Sequence, residues 1–291
     1  MLSIKSLKSQ IILFVLITFV LSWSLEFYMI HHGGIENIAM DFLLMWTPGI
    51  VGLILSLLFS KNVKDIGFKF GRLKFYGLAY AIPALTAILI LFSLILLGQG
   101  QFEVSPKLVE SKGSVGKAVA VILLIGPTLS VLIGFVSALG EEIGWRGFLH
   151  SRMMALKIPH PFLITGIIWS IWHWPLILFS NYATSSIPLL SLFLFSCVII
   201  SFAIIIGWLR EASGSVLVAG LAHSVHNAWM QAIYPAFLKK GPLDEFLGGE
   251  SGVLNAVIYI FIAIYVYRRF LVRGRETTGN VLLPVDPSLN G

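Results

Sequence analysis

The stretch 187-IPLLSLFLFSCVIISFAIIIGWL-209 runs for twenty-three residues without a charge, and Arg210 follows it at once. The hydrocarbon core of a bilayer takes about 20 apolar residues of α-helix, so such a run reads as a helix crossing a membrane. Working outward, comparable runs lie near 10–30, 42–60, 75–98, 118–138, 161–180, 214–236 and 253–267, which makes eight. Of the 291 residues, 57% are hydrophobic and 12% charged. A soluble domain carries about a quarter charged residues, and a chain this apolar has too little polar surface to cover a water-soluble particle. The expected fold is all-α: a polytopic transmembrane helical bundle of about eight spans. Residues 1–291 then form a single integral membrane domain with a cytoplasmic tail from about 268.

The single cysteine, Cys197, excludes a disulfide framework and a thiolate zinc cluster. A net charge of +6 would suit nucleic acid, but the basic residues sit in short clusters between apolar runs, so their partner is the bilayer and no nucleic acid is expected. With the N-terminus in the cytoplasm, fifteen of the twenty Lys and Arg fall inside, in clusters such as Lys61 to Lys74 and Arg268 to Arg275. Lys107, Lys112, Lys117, Lys239 and Lys240 fall outside. This three-to-one bias predicts a multi-pass protein of the cell membrane with both termini cytoplasmic. Lys5 and Lys8 precede the first run as in a signal peptide, but no small-residue cleavage site follows, which predicts an uncleaved first helix. The longer outer loops, 99–117 and 237–252, are the expected places for variable or mobile segments.

Ionisable groups inside a membrane are costly and mark functional sites. His173, His223 and His226 fall within spans, while His31, His32, His150 and His160 fall in or near loops. Glu26, toward the outer end of the first span, stands where it can reach the headgroups. The segment 138-ALGEEIGWRGFLHSRMMAL-156 places Arg146 four residues beyond Glu142, the spacing at which helical side chains meet. Charges touching water at a cytoplasmic interface would explain it, but the residues stay apolar to Arg152 and the helix is expected to continue. Glu141 then lies roughly 16 Å from that interface, His173 about 18 Å and His223 about 14 Å, a common depth. A helix from 118 to 152 would overshoot the bilayer, so Pro127 is expected to break it.

On this reading Glu142 and Arg146 form a buried supporting pair, and Glu141 is the unneutralised carboxylate and candidate proton acceptor. In 220-GLAHSVHNAWM-230, His223 and Asn227 share a helix face and offer neutral donors toward an oxyanion. Interhelical polar contact is the plainer reading of that pair. The tryptophans of 169-WSIWHWP-175 read mostly as packing or interfacial anchors.

These residues resemble the CAAX proteases and bacteriocin-processing enzymes, the CPBP or Abi family. That family carries a Glu-Glu-x-x-x-Arg motif, then an aromatic-x-x-x-His motif, then His-x-x-x-Asn, on successive membrane helices. Here they read Glu141-Glu142-Ile-Gly-Trp-Arg146, Trp169-Ser-Ile-Trp-His173 and His223-Ser-Val-His-Asn227. The likeness covers roughly 118–235, with Trp169 where phenylalanine is usual, a change expected to touch packing more than chemistry. It implies an intramembrane endopeptidase cutting near the C-terminus of a membrane-associated or lipidated protein or peptide, prenylated substrates among them. Glu141 and His173 would activate water, and His223 and Asn227 would stabilise the tetrahedral oxyanion, with no cofactor.

The family is also labelled metal-dependent, and Glu141, His173 and His223 would be the ligands of a zinc-dependent version. Two other classes also bury such groups. A proton-coupled transporter is one, with Pro127 and Gly140 marking broken helices, although no inverted repeat is visible. A non-catalytic membrane immunity or binding protein is the other.

Overall fold

The computed structural model describes residues 4–32, 37–183 and 185–279, with side chains from 7 to 270. Seven helices among the described residues are long and apolar enough to cross a membrane. They are α1 (Ile4–His31), α2 (Ile38–Ser60), α3 (Lys74–Leu96), the interrupted helix α4 (Val115–Ala155), α5 with α6 (Pro161–Trp172 and Trp174–Phe179), α7 (Pro188–Ser213), and the apolar part of α9 (Val253–Gly279). The eighth expected span is also helical: α8 (Val216–Asn227) continues as a π-helix through Ile233. It falls outside the apolar set because one short helix carries His223, His226, Asn227 and Gln231. His223 and His226 are buried in the protein and Asn227 is half-buried, so this helix can be less apolar than a lipid-facing one. The expected tail begins as an extension of α9, and its residues beyond 279 lie outside the described ones.

Local chemistry sets the helix ends. Asn37 caps α2 by accepting the amides of Ala39 and Met40, and Ser215 caps α8 by accepting that of Leu217. Pro161 and Pro188 stand at first-turn positions, where a missing N–H costs nothing. Pro127 does not break α4. The chain widens into a π-turn over Gly126–Ser130 and continues as helix, absorbing the lost hydrogen bond by a change of pitch. A second π-segment, Ile143–Leu149, follows the two glutamates directly.

α2 crosses α4 at backbone contact. A Cβ on Gly49 would sit 2.3 Å from the Gly140 carbonyl oxygen, and one on Gly144 would sit 2.5 Å from Pro48 Cβ. Gly140 therefore marks a close helix crossing rather than a broken helix, and this crossing lodges the adjacent glutamates in the bundle. α8 packs between α3 and α4, while α7 packs on α5 and α9. The two long loops expected on the outside are tied together by an antiparallel ribbon, β1 (Gly100–Phe102) on β2 (Leu238–Lys240), with Gly100 opposite Lys240. The expected variable loops thus carry a fixed register.

Candidate active site

Glu141 is 3% exposed, and its Oε2 accepts the indole N–H of Trp169 at 2.7 Å and that of Trp145 at 3.3 Å. Two donors from different helices hold one carboxylate oxygen, which leaves Oε1 toward His223, whose Nε2 is 4.0 Å away. Trp169 was expected to matter for packing. Its N–H instead grips the candidate base, and phenylalanine could not do so. Trp169→Phe is expected to lower turnover about 10- to 100-fold with KM little changed, since a hydrogen bond to a charged group is worth about 1.5–3 kcal/mol. An unchanged kcat would show that Trp145 alone suffices.

Glu142 is fully buried, and its Oε1 accepts from Arg146 Nη1 at 2.9 Å and from His223 Nδ1 at 2.9 Å. The expected Glu142–Arg146 pair is therefore present and takes in a third member. The Arg146 guanidinium also lies 4.2 Å from the Trp169 ring centre, a cation–π contact that fixes the ring whose N–H reaches Glu141. Because Nδ1 of His223 donates to a carboxylate, Nε2 of the neutral ring is a lone pair. His223 thus differs from the neutral oxyanion donor expected of it: Nε2 donates only after the ring takes up a second proton.

His173 sits at the junction of α5 and α6 rather than within a helix, and Pro175 stands in the first turn of the new segment, which begins at Trp174. Its Nδ1 donates to the Trp169 carbonyl at 2.9 Å, so Nε2 is a lone pair here too. Glu141, His173, His223 and Asn227 all line one cavity of about 170 Å³ between α2, α4, α5, α7 and α8. The common depth read from helix lengths thus corresponds to a common cavity.

Further residues lining the cavity came from places with no periodic signal. Asp41 opens α2, Tyr182 follows α6, and Glu250 comes from the loop before α9. Glu250 accepts from the Gln231 amide at 2.9 Å and lies 3.8 Å from His226 Nε2, while His226 Nδ1 meets the Tyr259 hydroxyl at 2.8 Å. Burial pushes the Glu250 carboxyl above its usual range, against the opposing pull of Gln231, His223 and Tyr182. His226 is thereby a satisfied bundle residue at the cavity edge. Glu26 does not reach the headgroups: it is fully buried on α1. Cys197 is half-buried on α7 and does not line the cavity.

Among the described residues, no three His, Cys, Asp or Glu side chains are grouped to hold a metal ion. Glu141, His173 and His223, the expected ligands of a zinc-dependent version, do not form such a group.

No curated protein matches the chain. Residues 121–229 match the family described as type II CAAX prenyl endopeptidase Rce1-like. The matched segment holds both glutamates, both candidate histidines and Asn227, and it lies in an integral membrane bundle. Over residues 121–229, the chain is similar to the Rce1-like type II CAAX prenyl endopeptidases, a family of peptide hydrolases.

Proposed function

We propose that the chain hydrolyses a peptide bond near the C-terminus of a membrane-associated protein or peptide, lipidated substrates included, using water activated by protein groups. The observation that carries this reading is the asymmetric grip on Glu141: Oε2 is held by two indole N–H groups while Oε1 stays free toward His223. Glu141, with the lone pair of His173 Nε2 in the same cavity, takes a proton from water. The hydroxide oxygen bonds to the scissile carbonyl carbon, and the proton leaves with the amine product. The Asn227 amide donates to the developing oxyanion. His223 joins it once Nε2 is protonated, its charge then answered by Glu142 through Nδ1.

This reading needs no cofactor. It is tested by exhaustive chelation of the purified protein followed by elemental analysis and a cleavage assay. Full activity with less than about one-tenth of a zinc per chain is the expected result. Activity lost to chelation and restored by stoichiometric zinc would replace the protein base with a metal-bound water. Absence of any cleavage of tagged candidate substrates would favour a transporter or a binding protein.

We further propose that both termini lie in the cytoplasm of the cell membrane, supported by the fifteen-to-five division of Lys and Arg. An impermeant thiol reagent applied to intact cells should label Gln101→Cys and spare Asn62→Cys. The opposite pattern would invert the topology.

A further inference from the structure

The inner face of α1 carries Gln10, Phe14, Thr18, Ser22 and Glu26, each four residues from the last and each fully buried. Such spacing lays them in one row along the helix. Gln10 closes the row at one end by accepting from Arg152 Nε at 2.7 Å. The hydroxyls of Thr18 and Ser22 and both oxygens of Glu26 have no hydrogen-bond partner among the described residues. On α5, whose Trp172 carbonyl α1 contacts through Trp23, the indole N–H of Trp172 is likewise buried and unpartnered.

The row runs beside the candidate active site. Phe14 packs on Trp145 and Phe148 at ring distances of 5.6 and 4.9 Å, and Trp23 donates to the Trp172 carbonyl at 3.2 Å. Met29, one turn beyond Glu26, lines the cavity itself.

A buried polar group with no partner costs about 1–3 kcal/mol, and a helix facing an apolar bundle would lose that penalty with valine, alanine and leucine at these positions. Unpartnered polar groups repeating each turn over about 12 Å of helix are what a file of water needs, since each molecule requires two to four polar partners. A hydrolase inside a bilayer consumes one water per bond cut, and that water must reach a cavity set among apolar helices. We propose that Thr18, Ser22, Glu26 and Trp172 hold a file of water along α1 that supplies the hydrolytic water to the Glu141 cavity. The supply role rests on the hydrolase reading, whereas the file itself does not.

The test is radiolytic hydroxyl-radical footprinting of the full chain in lipid nanodiscs, because radicals formed from bound water label neighbouring side chains whatever their bulk exposure. Phe14 and Trp172 should label well above Phe162, which is as deeply buried but away from the row. In Thr18→Val/Ser22→Ala, that labelling should fall to the Phe162 level. With it, kcat should fall about tenfold at unchanged KM, on the scale of one ordered hydrogen bond. Labelling of Phe14 and Trp172 no higher than Phe162 in the wild type would overturn the file. A double variant with unchanged kcat and a raised melting temperature would overturn the supply role. The footprint needs no substrate, so a wild type without proteolysis would count against the hydrolase reading alone.

Discussion

Glu141→Gln abolishes peptide hydrolysis and leaves the bundle folded: that is the expected result with the largest effect on turnover. Glutamine keeps the volume and a carbonyl oxygen that can still accept from the Trp169 and Trp145 indoles, whose donors define the site's position. It cannot take a proton from water. General-base assistance is worth about 10²–10⁴ in rate, so cleavage by the variant should fall by about that factor, with substrate affinity retained. Buried charge is costly where it is not fully compensated, so the neutral variant should melt no lower than the wild type in detergent. Measurable turnover within tenfold of wild type would remove Glu141 from the base role. Loss of turnover with a collapsed melting temperature would assign Glu141 to folding instead.

How much of this was legible before the structure follows from what periodicity can carry. Helix rise is constant, so counting residues from the expected helix ends brought Glu141, His173 and His223 to one depth, and the three do line one cavity. The Glu142–Arg146 contact also followed from spacing within one helix. What crosses between helices was not legible. Helical rotation is set by packing, and the Gly49–Gly140 approach that turns the glutamates inward involves residues 91 positions apart. The tautomer of His223 depends on Glu142, 81 positions away, which is why the neutral-donor role expected from the sequence is replaced in the proposed mechanism. Trp169 reads as apolar in any hydropathy sum, so its N–H went unread although the indole is always a donor. Glu250 and Tyr182 sit in loops, where no repeat relates sequence position to direction. Pro127 misled because a π-turn can absorb the hydrogen bond that proline removes.

Glu142→Gln should act on both stability and turnover, in contrast to Glu141→Gln. One oxygen of Glu142 accepts from both the Arg146 guanidinium and the His223 ring, and all three groups are at least nine-tenths buried. Glutamine neutralises the carboxylate and leaves the guanidinium charge uncompensated in a place water does not reach. Breaking one side of a buried pair costs about 3–5 kcal/mol, because the remaining charge keeps its desolvation penalty and loses its attraction. An amide oxygen can still accept one bond, so the lower part of that range is expected in detergent unfolding. The amide N–H₂ may not face His223 Nδ1–H without a donor–donor clash, so the ring loses its fixed tautomer and catalysis falls as well. Adding Arg146→Met removes the stranded charge, and Glu142→Gln/Arg146→Met should recover most of the stability while leaving catalysis impaired, a non-additivity of the kind directly coupled residues show. Recovery of stability without recovery of turnover would separate the two tasks of this one carboxylate: neutralising Arg146, and aiming His223 at the cavity. Equal melting temperatures for wild type and Glu142→Gln would mean that water reaches the pair and that the charge is not stored in a dry interior.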